Sequence, residues 1–338
     1  MSGARRFAVG RRPAMAGLAF AAAVALGGCS TIQVKLGMRV DLAKLPVTTM
    51  TASQYHHPGV GPGEKKSLVV TFTQPDGKVL VTAGKGGGKV QWKDLAVVAT
   101  VVSVNKKGVL SLPSDPRVSD GKTGHVVITV PSHPDLKAEM DIPLRYNYAF
   151  KASYSGMSGS NGSNGSDGMA GSSGSMGSID PDNPSAGGDG GNGGDGTAGG
   201  NGGDGGDGPA VQVQVALQAG AHPLLQVGVT AAGSKEQYFL VDPQGGSLTV
   251  SSFGGAGGSG GKGGSGGSGG SGGAGIPPGS NGSSGQAGSD GSSGSPGRGG
   301  SITGTYDPAV APYIAAIKLE NPGGPKPALK QASVAPLW

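Results

Sequence analysis

The sequence predicts an all-β base that carries an antiparallel bundle of four polyglycine II helices, followed by a short C-terminal helix. Three observations predict this architecture. Glycine supplies 71 of 338 residues and aromatic residues only 4%, which argues against a single large apolar core. Four separate stretches keep glycine at every third position through eight triplets each. The segments before and between them hold short runs rich in Val, Ile and Thr, as β-strands do.

The N-terminus predicts a cleaved signal peptide over residues 1–28. Four arginines and no acidic residue precede the apolar run AMAGLAFAAAVALGG, which is shorter than a membrane-spanning helix. The sequence Leu26-Gly27-Gly28-Cys29 resembles the lipobox of bacterial lipoproteins. The resemblance implies cleavage before Cys29 and acylation of its sulfur and its new amino group. It therefore implies a partner, the membrane, reached through acyl chains on Cys29, and a place at the outer membrane or cell surface.

Charge, cysteine content and missing motifs exclude several classes of protein. Cys29 is the only cysteine, so the chain forms no internal disulfide. Four of the five net positive charges come from the leader arginines, so the remaining chain lacks the clustered basic face that nucleic-acid binding needs. The sequence has no nucleophile elbow, phosphate loop or HExxH motif. We predict no catalytic residues, no metal site, no cofactor and no nucleic-acid partner.

Residues 29–155 predict a β domain. Short runs with alternating apolar and polar residues are separated by turn signals such as Pro75-Asp76-Gly77. Their number and spacing resemble an immunoglobulin-like sandwich in architecture, although the Cys…Trp…Cys pattern of that family is absent. The seven predicted strand runs are VKLGMRV, SLVVTFT, KVLVTA, LAVVATVVSV, GVLSL, HVVITV and MDIPLRYNYAFKASY.

The glycine-rich regions cover residues 156–208 and 254–300, and each holds two tracts joined by a proline-bearing turn. The turns are SIDPDNPSA in the first region and Ile276-Pro277-Pro278 in the second. Strand-like sequence occupies residues 209–253 between the regions, so each pair of tracts is expected to form a long hairpin rooted in the β base. The tracts are tract 1 (156–179), tract 2 (187–208), tract 3 (254–275) and tract 4 (279–300).

Three interpretations of the triplet period compete. A flexible Gly/Ser coil does not require glycine at every third position, and it does not explain why four tracts of equal length keep that period. A collagen triple helix usually has proline at many of the positions between its glycines, whereas Pro296 is the only proline in the tracts. In a polyglycine II helix every third residue lines one edge, so a neighbouring backbone can approach the glycines and exchange hydrogen bonds with them. In their period, the tracts resemble the Gly-x-x bundles of snow-flea antifreeze protein and of some phage tail adhesins.

Edge composition predicts the order of the tracts. Tracts 2 and 3 carry a second glycine edge, whereas tracts 1 and 4 carry Ser, Asn, Asp and Met beside their single glycine edge. Tracts 2 and 3 are therefore expected to be central, with the two turns side by side at the far end. The predicted packing glycines on these second edges are Gly200, Gly203, Gly264 and Gly267. The aspartates of tract 2 are predicted to form a solvated edge, because about 9 Å between triplets is too wide for calcium chelation.

Residues 301–338 predict a strand, a short helix and a tail. Asp307 followed by Pro308 is a typical helix start, and the helix is expected to end near Ala316. The proline-rich remainder is predicted to be irregular. Trp338 either packs against the β base or stays free.

These features favour a lipid-anchored structural or adhesive protein whose rigid glycine-rich rod acts as a spacer or projection, with a surface protein or glycan as partner. The alternative is a ligand-binding module that presents a flat, regularly spaced face to a glycan or to ice. Threonine is scarce in the tracts, which counts against ice. A lipoprotein enzyme or chaperone with its chemistry in the β domain is a third hypothesis, and no motif supports it.

Overall fold

A computed structural model describes residues 33–34, 36–220 and 222–338. The predicted leader and Cys29 lie outside the described residues. The described chain is mostly β, as predicted, with strands in four sheets and no closed barrel among them. It divides into two compact units between Arg145 and Tyr146. The four 3-10 helices are Leu42–Lys44, Trp92–Asp94, Pro116–Val118 and Pro308–Ala316.

The first unit contains eight strands in two antiparallel sheets. The strands are β1 (Thr49–Gln54), β2 (Lys65–Thr73), β3 (Val79–Val81), β4 (Ala96–Thr100), β5 (Ser103–Val104), β6 (Val109–Ser111), β7 (Gly124–Val130) and β8 (His133–Ile142). One sheet has the order β1-β2-β6-β5, and β3 also pairs with β2. The other has the order β4-β7-β8.

The two sheets of the first unit share one apolar core. Alternate residues of β7 are buried, which places Val126 and Ile128 in the core, opposite the polar face of the strand. Val70 and Phe72 of β2 meet them from the other sheet and are fully buried. Each such side chain contributes roughly 1.5–3 kcal/mol relative to an exposed one.

Three of the seven predicted runs differ from the observed strands. LAVVATVVSV divides at Val101, whose φ is 67°, into β4 and β5, which belong to different sheets. The described residues of VKLGMRV form no strand, because the backbone turns at Gly37, where φ is 66°, and only Val40 makes an isolated bridge, to Val90. The run MDIPLRYNYAFKASY divides: its start completes β8, whereas residues 149–155 form a strand of the second unit. The first unit therefore ends at Arg145, earlier than the domain boundary of 155 expected from the sequence.

The second unit contains eight strands in two further sheets. They are β9 (Ala149–Ser155), β10 (Val211–Gln218), β11 (Leu224–Ala231), β12 (Gln237–Val241), β13 (Ser247–Phe253), β14 (Ile302–Tyr306), β15 (Ile317–Glu320) and β16 (Ala328–Gln331). The larger sheet has the order β12-β11-β10-β14-β16 and the smaller has β15-β13-β9. Side chains of both sheets, among them Val213, Val227 and Val250, form one buried core.

The C-terminal helix forms where it was predicted, but as a 3-10 helix. Asp307 Oδ1 accepts the N–H of Ala309 at 2.9 Å, and Pro308 takes the first helical position. Pro312 lacks the N–H that an α-helix interior would require. The tail is not wholly irregular as predicted, because β16 pairs in parallel with β14. Trp338 packs edge-on against Tyr238 of the base, with ring centroids 5.6 Å apart.

The four tracts grow out of the two sheets of the second unit. Tract 1 continues β9 and tract 3 continues β13, and these strands are parallel neighbours in the smaller sheet. Tracts 2 and 4 lead into β10 and β14, which are parallel neighbours in the larger sheet. The strand pairing therefore fixes the starting register of each parallel pair of tracts. Both hairpins are rooted in the β base, as expected.

Candidate functional surface

Backbone hydrogen bonds join the four tracts side by side, and we call this set of residues the tract assembly. Tracts 1 and 3 are parallel: Gly159 N–H donates to the carbonyl of Ala256 at 2.8 Å, and the bond recurs at every triplet. Tracts 2 and 4 repeat this arrangement, beginning with Gly187 N–H and the carbonyl of Pro277. Antiparallel bonds of the same length link tract 1 to 2, 2 to 3 and 3 to 4. The period of three therefore corresponds to a period of lateral bonds.

The bonding pattern confirms which tracts are central. Tracts 2 and 3 each bond to three other tracts, whereas tracts 1 and 4 each bond to two. The turns lie side by side as expected, because Ile276 N–H donates to the carbonyl of Ser185 at 2.9 Å. Near these turns Met176 and Ile179 are 86% and 69% exposed, so the far end of tract 1 presents apolar side chains to solvent.

Two of the predicted packing glycines lie at closed positions. Gly264 and Gly267 are buried on the second edge of tract 3. A Cβ at Gly264 would overlap the carbonyl oxygen of Ser166, and one at Gly267 would overlap that of Met169. Backbone cannot yield as a flexible side-chain end can, so any larger residue must push tract 1 away.

The other two predicted glycines lie at a more open edge. A Cβ at Gly200 would lie 3.1 Å from Ser163 Oγ, and one at Gly203 would lie 3.1 Å from Ser160 Oγ. Thr197 occupies the same edge, and its Oγ1 accepts the N–H of Ser166 at 2.7 Å. The closed edge of tract 2 is the one that begins at Gly187, and none of the four predicted packing glycines lies on it. The triplet phase alone does not distinguish the two edges, because both consist mainly of glycine; Thr197 is the one sequence signal that the more open edge tolerates a side chain.

A recurring bracket of two hydrogen bonds was not foreseen from the sequence, and we call it the Asx–Gly clamp. In tract 2, Asn192 Oδ1 accepts the N–H of Ser283 at 2.8 Å, and the following Gly193 donates its N–H to the carbonyl of Ser283 at 2.8 Å. Both backbone groups of Ser283, its N–H and its carbonyl, are therefore hydrogen-bonded to tract 2. The clamp satisfies an N–H that this helix type cannot pair internally.

Clamps occur throughout the tract assembly. Nine brace the parallel pairs, with Asx residues Asn161, Asn164, Asp167, Asp189, Asn192, Asp195, Asn201, Asp204 and Asp207. Asn281 and Asp290 of tract 4 form two variant clamps, in which the side chain accepts an N–H of tract 3 and the following glycine donates to a different residue of tract 3. The sequence separations repeat those of the paired strands, because Asn161 meets Ser259 in the register that pairs Ser153 with Ser251.

The aspartates of tract 2 are therefore more than a solvated edge. Each is exposed, yet its Oδ1 accepts a backbone N–H of tract 4 at 2.6–2.7 Å. Charge-assisted bonds of this kind are short. Among the described residues, no group of three or more His, Cys, Asp or Glu side chains could hold a metal ion.

Ala198 is the one gap in the row of clamps along tract 2. Gly199 N–H already donates to the carbonyl of Ser289, so only the side-chain acceptor for the N–H of Ser289 is missing. We expect Ala198→Asn to complete the clamp and raise the stability of the second unit by about 0.5–1 kcal/mol. Thermal unfolding measures this as a Tm increase of about 1–4 °C. Ala198→Val, which adds bulk without an acceptor, is the control, and equal Tm values for the two variants would contradict the clamp.

Apart from the neighbours His56 and His57, the histidines that the structure describes lie at separate positions. His56 and His57 are exposed in a loop. His125 Nδ1 lies 2.8 Å from Asp141 Oδ1 across β7 and β8, and His133 Nε2 lies 3.0 Å from the carbonyl of Leu45. These contacts tie strands to their neighbours rather than converging on a pocket.

Comparison with known proteins gives no match: no family model, no curated protein and no solved structure is similar to this chain. In the part of the chain that the structure describes, no helix has the length and hydrophobicity needed to cross a lipid bilayer. The geometry of the tract assembly and the sequence of the leader are therefore the features that bear on function.

Proposed function

We propose that the tract assembly is a polyglycine II bundle and that the first unit is an immunoglobulin-like sandwich. The bundle is supported by the lateral bonds at every triplet and by the closed glycine edges of the central tracts. The sandwich is supported by its strand order. The order β1-β2-β6-β5 beside β4-β7-β8 corresponds to the ABED and CFG sheets of a constant-type domain, with β3 as an addition.

On this basis we propose a lipid-anchored protein of the outer membrane or cell surface, in which the bundle is a rigid spacer or adhesive projection. The observation that carries the proposal is lateral bracing along the whole length of every tract. Isolated helices of this type have no internal hydrogen bonds, and ordering each residue costs roughly 1–2 kcal/mol. The ordered array that results is about 68–74 Å long, from roughly 22–24 residues in each tract at a rise of about 3.1 Å. No part of this function requires catalysis.

A ligand-binding face is the second candidate, and one feature favours it. Tract 3 presents an exposed row at its third triplet position, where Ser259, Ser265, Ser268 and Ser271 recur with Lys262 among them. Hydroxyl groups about 9 Å apart along a straight edge could meet a regular polymer such as a glycan.

The anchor is tested by metabolic labelling with palmitate. The wild-type chain is expected to incorporate the label and to fractionate with membranes, because two or more acyl chains give stable attachment. Cys29→Ala removes the acceptor sulfur and is expected to yield an unlabelled, uncleaved or soluble product. Ser30→Ala, next to the cysteine, is the matched control and should be labelled as the wild type is. A wild-type chain that takes up no label would refute lipid anchoring.

A further inference from the structure

The Asx–Gly sequences of the tracts have a chemical property that their structural role does not explain. Asn–Gly and Asp–Gly are the dipeptides most prone to succinimide formation, because glycine leaves its backbone nitrogen sterically accessible. We propose that the eleven Asx–Gly sequences of the clamps are latent modification sites that the tract assembly holds inert. Deamidation or isomerisation at these sites then occurs only in chains whose tracts have opened.

The reaction needs no reagent other than water. The backbone nitrogen of the glycine loses its proton and attacks the Asx side-chain Cγ, forming a C–N bond. Ammonia leaves when the residue is Asn, and water leaves when it is Asp. Water then opens the five-membered succinimide at either carbonyl, which gives aspartate or isoaspartate.

The clamp obstructs both reacting atoms. At Asn192, the nucleophile is Gly193 N, whose proton is donated to the carbonyl of Ser283 at 2.8 Å. The electrophile is Cγ of Asn192, whose Oδ1 is held by the N–H of Ser283 at 2.8 Å. Attack would require the glycine to give up its bond and the side chain to swing away from tract 4. Both bonds are made to one residue, so they must break together.

The same protection applies along the tracts. Gly162, Gly168 and Gly205 follow Asn161, Asp167 and Asp204, and each donates its N–H across to a neighbouring tract at 2.8 Å. At the two clamps of tract 4 the bonds go to different residues of tract 3: Asn281 Oδ1 accepts from Gly272, while Gly282 donates to Gly270. All eleven sites therefore have both reacting groups engaged.

The test is peptide mass spectrometry of the full chain after prolonged incubation at mildly alkaline pH. Folded protein is compared with the same protein in denaturant. We expect deamidation at Asn161, Asn164, Asn192 and Asn201 to be about tenfold slower or more in the folded protein, since reaction must await local opening. Equal rates in the two states would overturn the proposal. So would isoaspartate that forms at the clamp aspartates as fast in the folded protein as in denaturant.

A pair of variants makes the test specific to tract packing. Gly264→Val should raise the deamidation rate of Asn161 and Asn164 towards that of the denatured chain, because it separates tract 1 from tract 3. Ser265→Val, one residue later on an exposed position, should leave both rates unchanged. If circular dichroism shows that Gly264→Val has lost the tract assembly and the two Asn residues still deamidate slowly, the protection does not come from the clamps.

Discussion

Gly264→Val is expected to unfold the tract assembly at a temperature at which Ser265→Val remains folded. The valine side chain would collide with the carbonyl oxygen of Ser166 and push tract 1 from tract 3. Overpacking costs about 1–3 kcal/mol, and each lost hydrogen bond adds about 0.5–1.5 kcal/mol. We therefore expect a destabilisation of about 2–5 kcal/mol and a Tm lowered by about 5–15 °C. Far-ultraviolet circular dichroism at the polyproline II maximum follows the transition.

Ser265→Val is a matched control because position 265 has an exposed side chain and a fully engaged backbone. Its N–H donates to Asp167 Oδ1 at 2.7 Å, and its carbonyl accepts the N–H of Gly168 at 2.8 Å. Neither bond depends on the serine hydroxyl, so the cost should be within about 0.5 kcal/mol. Equal melting of the two variants would mean that glycine edges do not hold the tracts together. In a disordered linker neither side chain would displace a packed neighbour, so both variants should melt as the wild type does.

The predicted packing glycines should differ in how much a valine at each position destabilises the tract assembly. Gly203→Val should cost less than Gly264→Val, because its Cβ would meet only the flexible Oγ of Ser160 and backbone at 3.3 Å. The sequence contains one signal for this ranking, since Thr197 interrupts the glycine edge of Gly203 and no residue interrupts that of Gly264. Both residues belong to second glycine edges, and only the placement of tract 1 relative to tracts 2 and 3 decides which edge is closed.

The triplet period was enough to locate the tracts, and the second glycine edges identified the central pair. This succeeded because a residue without Cβ every third position has one dominant physical use, the close approach of a neighbouring backbone. The clamps escaped prediction for a different reason. Their partners, such as Asn192 and Ser283, are 91 residues apart, and their register is set by the pairing of β10 with β14. The Asx residues that precede glycine are a compositional signal, but composition does not distinguish a solvated aspartate edge from a row of clamps.

In the β base, local alternation predicted some strands, whereas others form only through pairing with distant segments of the chain. Alternation identified β2 and β7 because their apolar faces are buried against each other's sheets. The sequence TMTASQ of β1 was missed because it contains few large apolar residues, although it pairs along its whole length with β2. Residues 328–331 form β16 only by parallel pairing with β14, a contact between segments that no local pattern links.

A distance measurement inside tract 1 tests the central claim most directly. Ser158→Cys and Met176→Cys, in a Cys29→Ala background, place two spin labels on exposed third positions of the same tract, 18 residues apart. Double electron–electron resonance should give a narrow distribution near about 56 Å, which is 18 residues at a rise of about 3.1 Å. A broad distribution centred near about 20–25 Å, as expected for a glycine-rich coil of that length, would contradict the rigid bundle and with it the proposed projection.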